Sequence, residues 1–143
     1  MVAALGMPHG LPTTLRVVDW AMILYWGCSA LAALGIIALP KSLMYAGYGT
    51  PIIDAWNWSF APLDLIFSVL GLLGLKLAAR GNARWRPVVL SSLTLTFCAG
   101  LMATAFWAIR GDVDPAWWIP NLALMAVGLW WAPRLISAEP TTI

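Results

Sequence analysis

Residues 52–75, IIDAWNWSFAPLDLIFSVLGLLGL, decide the reading of this chain. The stretch is 24 residues long, slightly more than the roughly 20 needed to cross a hydrocarbon core. Its only charged residues are Asp54 and Asp64. Three other stretches share this character, at about 17–39, 87–109 and 115–133, and the last two carry no charge. A bilayer offers the backbone no water, so each stretch is expected to be a helix. The connections 40–51, 76–86 and 110–114 are short, which makes consecutive helices antiparallel neighbours. The expected fold is all-α, an integral-membrane four-helix bundle running up-down-up-down. It forms a single domain over residues 1–137, with a disordered tail at 138–143.

The rest of the chain agrees with that stretch. Of 143 residues, 62% are hydrophobic and 10% are charged; a soluble domain is roughly half apolar and a quarter charged. This excludes a soluble globular protein, a disordered chain and a disulfide-stapled secreted domain. The lipid bilayer is the first partner implied. The net charge of +2 comes from eight basic and six acidic residues, too few and too scattered for a nucleic-acid surface. Cys28 and Cys98 lie in apolar stretches and read as small core side chains. Residues 1–15 carry no Lys or Arg, which argues against a removable signal peptide. Arg16, Lys76, Arg80, Arg84, Arg86 and Arg134 fall on one side of the expected bundle, and Lys41 and Arg110 on the other. By the positive-inside rule, both termini and the middle connection are expected to be cytoplasmic.

Ten tryptophans are available to a membrane protein for its two interfaces. Trp20, Trp85, Trp130 and Trp131 fall at one level, and Trp107, Trp117, Trp118, Trp56 and Trp58 at or near the other. Trp26 is the deep exception. Trp26, Trp58 and Trp117 are the candidates for a pocket wall, where an indole face can hold a cation or a cationic intermediate.

The second span carries a polar stripe. At about 100° per residue, Asp54, Asn57, Ala61, Asp64, Ser68 and Gly71 share one face. Pro62, Ile66, Val69 and Leu73 share the opposite face and suit lipid. Asp64 falls near mid-membrane, with no Lys, Arg or His at that depth in any span. An ionisable group there is costly and usually turns into the bundle or a wet cavity. A neutral carboxylic acid in an apolar site can donate a proton or a hydrogen bond. Asp64 is the candidate acid, and Asn57 the group that orients a substrate or the acid. A hydrogen bond to a neighbouring helix is the plain alternative for both. Asp54 is placed near the outer interface, at a pocket mouth or as a solvated charge within reach of Lys41 or Arg110. Asp19 shares a face with Trp26 and is either an interfacial partner of Arg16 or an inward site residue. Asn121, Met125, Gly128 and Ala132 form a matching stripe on the fourth span, and Ser91, Thr94 and Cys98 align on the third. Pro62 and Pro120 are placed to kink their helices. No phosphate-binding Gly loop and no His/Cys metal cluster appears, so neither a cofactor nor a metal is expected. His9 reads as a solvated side chain, and without a His in a span no Ser-His-Asp set can form.

The run Asp54-Ala55-Trp56-Asn57-Trp58-Ser59-Phe60-Ala61-Pro62-Leu63-Asp64 resembles the signature of the YvaD-like family of small bacterial four-helix membrane proteins. The Asp19…Tyr25-Trp26 spacing resembles it too, and Tyr25 thereby joins the candidate binding residues. The resemblance implies the fold and a multi-pass location in a bacterial inner membrane. It draws attention to Asn57 and Asp64 and supplies no reaction. A looser resemblance is to the integral-membrane terpene cyclases. Gly49-Thr50-Pro51 and Asn57 match them, but the acid follows Asn57 by seven positions rather than four.

Three functions fit these residues. In the first, a lipophilic small molecule binds in an aromatic-lined pocket formed with Asp19, Asp54, Tyr25, Trp117 and Asn121. Asp64 protonates its alkene, epoxide or carbonyl, Asn57 orients it, Trp26 and Trp58 stabilise the cation, and the chain is a cyclase or isomerase. In the second, a lipophilic cation competes with a proton for Asp64 in a transporter of the small multidrug type, which implies a homo-oligomer. In the third, the stripe is the assembly face of a non-catalytic membrane subunit.

Overall fold

The computed structural model describes residues 6–40, 44–45 and 47–137. Among these the chain is entirely helical: α1 (Leu11–Ala33), α2 (Pro51–Trp58), α3 (Ala61–Ala79), α4 (Trp85–Arg110) and α5 (Pro115–Ser137). Helices α2 and α3 together make one apolar span, so four spans are long and apolar enough to cross a membrane. The chain is a multi-pass membrane protein of four spanning segments. The expected tail at 138–143, and Lys41 in the first connection, lie outside the described residues.

The first helix runs six residues earlier at each end than hydropathy alone places it. Leu11 and Leu15 pull its start inward, because both find full burial beside Leu135 and Val89. Gly35, at φ 69°, turns the chain out after Ala33. The second span is interrupted at Ser59 and Phe60. Pro62 has no N–H to give the carbonyl of Trp58, four residues back. The Ser59 N–H bonds the Ala55 and Trp56 carbonyls and the Phe60 N–H bonds Asn57, tightening this turn. The lipid face of α3 is as expected, with Ile66 52% and Val69 58% exposed. On α4 the inward polar face is Ser92 and Thr96, not Ser91 and Thr94, which are exposed. The register is set by Val89, Leu93 and Ala103, which fill the core one residue away from the expected stripe.

The helices pack in the order α1, α3, α4, α5, with α5 returning only slightly to α1. Small residues set these seams. A Cβ on Gly71 would collide with the Asp19 carboxyl, and one on Gly74 with Val89. On the α4/α5 seam, a Cβ on Gly100 would meet the Asn121 carbonyl, and one on Gly128 would meet Phe97 and the Leu93 carbonyl. The Ser92 hydroxyl ties α4 to α3 by donating to the Phe67 carbonyl at 2.8 Å. At the base of the bundle, where α1 begins and α5 ends, Leu11, Leu15, Leu135 and Trp85 close the core. Arg86 caps that end of α5, its Nε and Nη2 donating to the Leu135 carbonyl at 3.1 and 2.5 Å. Above the base α1 and α5 part, and the space between them becomes the cavity described below.

Gly128→Val should therefore lower stability by about 1–3 kcal/mol, the usual cost of overpacking. Gly27→Ala, where a Cβ meets nothing within 4 Å, should leave it unchanged. Thermal unfolding in detergent, followed by circular dichroism, measures both.

Candidate functional site

The upper half of the bundle holds a cavity of about 500 Å³, within the range that holds small-molecule ligands. Its open side lies between α1 and α5, whose rim residues Val17, Ala21 and Pro120 are exposed. Aromatic rings dominate the walls. Tyr25 and Trp26 come from α1, Trp56 and Phe60 from the second span, Trp107 from α4 and Trp117 from α5. They brace one another, Trp56 meeting Phe60 edge-on at 4.9 Å and Tyr25 meeting Trp26 at 5.0 Å, and Phe106 stacks behind Trp56 with centroids 3.8 Å apart. The polar groups of the lining are few: Asn57, Asp64, Asn121 and the hydroxyls of Tyr25 and Tyr45. No Lys, Arg or His is among the lining residues.

Asp64 sits in the first turn of α3, just after the break that Pro62 imposes. It is 5% exposed. Its Oδ2 accepts the indole N–H of Trp26 at 2.9 Å, while Oδ1 is buried without a hydrogen-bond partner. The polarity of this bond has a chemical consequence. An indole N–H can only donate, and the carbonyl oxygen of a carboxylic acid accepts better than its hydroxyl oxygen, so the bond to Oδ2 favours Oδ1 as the site of a proton. Trp26 thus leaves the acidic hydrogen on the oxygen that no protein group accepts from.

The mouth is closed on one side by Tyr45, which lines the cavity and packs edge-on against Trp117 at 5.7 Å. Its hydroxyl donates to Asp54 Oδ1 at 2.6 Å, and the Gly49 N–H donates to the same oxygen at 3.1 Å. Burial, with the adjacent Asp54 carboxyl, pushes the Tyr45 hydroxyl above the usual phenol range. It therefore stays a donor at any physiological pH.

The structure brings Asp64, Asn57, Tyr25, Trp26, Trp117 and Asn121 to the same cavity. Three other candidates lie outside its lining. Trp58 is 39% exposed and stands behind Trp26, 5.3 Å between centroids, because the turn at Ser59 carries it to the outside. Asp54 is occupied by Tyr45 and Gly49; Arg110 pairs with Asp112 instead, at 2.9 Å. Asp19 is buried on the α1/α3 seam against Gly71 and makes no pair with Arg16, whose side chain is exposed. Sequence reasoning missed Trp56, Trp107 and Phe60 as wall residues. Trp56 and Trp107 had been assigned to the interfacial belt, and only the parting of α1 from α5 turns them into a wall. The one signal for them is position: Trp56 precedes Asn57 directly, and Trp107 lies four residues beyond the buried Ala103.

A family model described as "Family of unknown function (DUF5360)" matches residues 11–142. The chain belongs to that family. A relative in Bacillus subtilis (strain 168), named "Uncharacterized protein YvaD", is 38% identical over 121 residues, covering 85% of this chain and 87% of its own length. The expected kinship with the YvaD-like proteins is therefore met. The matches lend nothing to the likeness to the terpene cyclases. No solved structure matches the chain.

Trp26→Phe should leave both Asp64 oxygens without a donor, at a cost of about 1–3 kcal/mol for a buried acceptor stripped of its bond. In a double-mutant cycle with Asp64→Leu, the two losses should fall short of additivity by a similar amount. Thermal unfolding of the four proteins in detergent gives the coupling directly.

Proposed function

We propose that the cavity binds a lipophilic small molecule and that Asp64 exchanges its proton with the bound molecule. The observation that supports this reading is the divided state of the carboxyl of Asp64, a residue of the cavity lining, with one oxygen held by Trp26 and the other buried without a hydrogen-bond partner. A purely structural buried carboxyl is normally satisfied at both oxygens. The ligand is apolar over most of its surface, matching the lining, and approaches from between α1 and α5.

In the first form of this function the chain is an acid-catalysed cyclase or isomerase. The Oδ1–H bond breaks and a C–H bond forms at an alkene carbon, leaving a carbocation in the substrate and a carboxylate at Asp64. The faces of Trp26, Trp56 and Trp107 then stabilise the cation as it rearranges. The C–H bond of a neighbouring carbon then breaks, its electron pair forms the new alkene, and the Asp64 carboxylate takes the proton, restoring the acid and a neutral product. Asn57 and Asn121 fix the orientation of the polar end; the Asn121 amide N–H donates to the Trp117 carbonyl at 2.7 Å, which holds that side chain in place and leaves its oxygen free to accept. A second form is supported by a separate observation: among the described residues, no Lys, Arg or His lines the cavity. A lipophilic cation would then be the natural counter-ion of ionised Asp64, and its entry would displace the proton, as in a proton-coupled transporter.

Two measurements on purified protein test these forms. Incubation with a polyprenyl lipid extract in D2O should give a product carrying one deuterium at carbon, absent with Asp64→Asn. Tetraphenylphosphonium added to lightly buffered protein should release about one proton per chain, again lost in Asp64→Asn. If neither signal occurs, and Asp64→Asn and Asn57→Ala instead split an oligomer, the polar stripe is an assembly face and the pocket reading is wrong.

A further inference from the structure

Asp19 is the least explained side chain in the described structure. It is 1% exposed, and neither carboxyl oxygen has a hydrogen-bond partner. It does not line the cavity, so the pocket chemistry does not account for it. Its place is nonetheless built, because Gly71 opposite it has no room for a Cβ. A buried carboxyl without hydrogen-bond partners is unfavourable whether it is ionised or neutral. Within a spanning helix, such a residue marks an ion or proton path by default.

Its position relative to Asp64 suggests which path. Asp19 faces Gly71, and seven residues farther along α1 Trp26 bonds Asp64, seven residues back along α3. The two carboxyls thus share one antiparallel seam, about 10 Å apart along its axis at 1.5 Å per residue. Ser68 is fully buried and lies between those two levels on the same stripe of α3. Its hydroxyl now donates to the Asp64 carbonyl at 2.7 Å. A rotating serine hydroxyl accepts one proton and passes on another. The ionisable groups on the elements packed around Asp19 are Arg16 and Tyr25 on α1, Asp64 and Lys76 on α3, and Arg134 on α5. Arg16, Lys76 and Arg134 are exposed. None of these holds Asp19 in an ion pair, since its oxygens are without partners.

We infer that Asp19 is a proton relay that connects Asp64, through Ser68, with the base of the bundle. The Asp64 Oδ1–H bond breaks, Ser68 takes that proton and gives up its own, and Asp19 receives one and releases it to water that passes Leu11 and Leu15, the apolar plug at the base, when the first turns of α1 open. Run backwards, the same path reprotonates Asp64 after each cycle. The relay rests on the proposed proton-active pocket and gives it a direction, with the ligand entering in the upper half and the proton leaving at the base.

The test uses the full chain in proteoliposomes, with a pH dye trapped inside and another outside. Tetraphenylphosphonium is the probe, and the fraction of chains in each orientation is determined by protease accessibility. Wild type should bind the probe and send protons to the face at the base. Asp64→Asn should lose both binding and proton release. Asp19→Asn and, independently, Ser68→Ala should keep probe affinity within about twofold but slow proton release at the base at least tenfold. Ser68→Ala removes one hydroxyl and preserves packing, so the test survives if Asp19→Asn fails to fold. Wild-type rates in Ser68→Ala, together with wild-type rates in any folded Asp19→Asn, overturn the relay while leaving the pocket standing. So does wild-type release on the cavity face alone. Failure of wild type to bind the probe, or unchanged behaviour in Asp64→Asn, overturns the pocket reading and the relay with it.

Discussion

A carboxyl placed in the middle of an apolar bundle has to be partnered by the bundle itself, and the Trp26–Asp64 hydrogen bond meets that demand by half. It joins α1 to α3 at the level where the second span is interrupted. It also accounts for the depth of Trp26, the one tryptophan far from either interface. A tryptophan is large enough to fill the wall and carries one N–H, which satisfies one oxygen and no more. In the proposed function, the remaining oxygen is the one that exchanges its proton.

The cavity itself follows from unequal seams. Where Gly71, Gly74, Gly100 and Gly128 lie, backbones approach closely. Between α1 and α5 the close contact is confined to the base, where Leu11, Leu15 and Leu135 meet. Higher up, bulky rings from four spans prevent closure while packing against one another. A void in the upper half is therefore the geometric result of large aromatic residues opposing small ones. Dispersion among the rings lets the walls stand without a ligand.

Much of this is legible in the amino-acid sequence. Span number is read from hydropathy, because apolar stretches of about 20 residues match a membrane helix and are twice the length of a barrel strand. The inward face of α3 came from periodicity, since Asp64, Ser68 and Gly71 recur at helical spacing against an unbroken apolar back. Other features were not legible. Periodicity puts Trp56 and Trp58, two positions apart, on nearly opposite sides of their helix but cannot say which side meets a void, so Trp56, like Trp107, reads as a belt residue and Trp58 as wall. It cannot separate Ser91 from Ser92 on a helix that is apolar nearly all round; core packing by Val89 and Leu93 decides that register. Asp19 could be placed only by its neighbour, because a glycine seven positions beyond Asp64 reveals a close approach but not what approaches.

The side opening between α1 and α5 has a consequence for how occupancy is governed. A molecule that enters through this slit comes from the acyl-chain region rather than from water. Its effective concentration is then its mole fraction among lipids, which for an oily compound far exceeds its aqueous level. Modest intrinsic attraction inside the walls suffices to fill such a chamber, and selectivity must come from the few polar groups rather than from greasiness, which the surrounding membrane offers equally well.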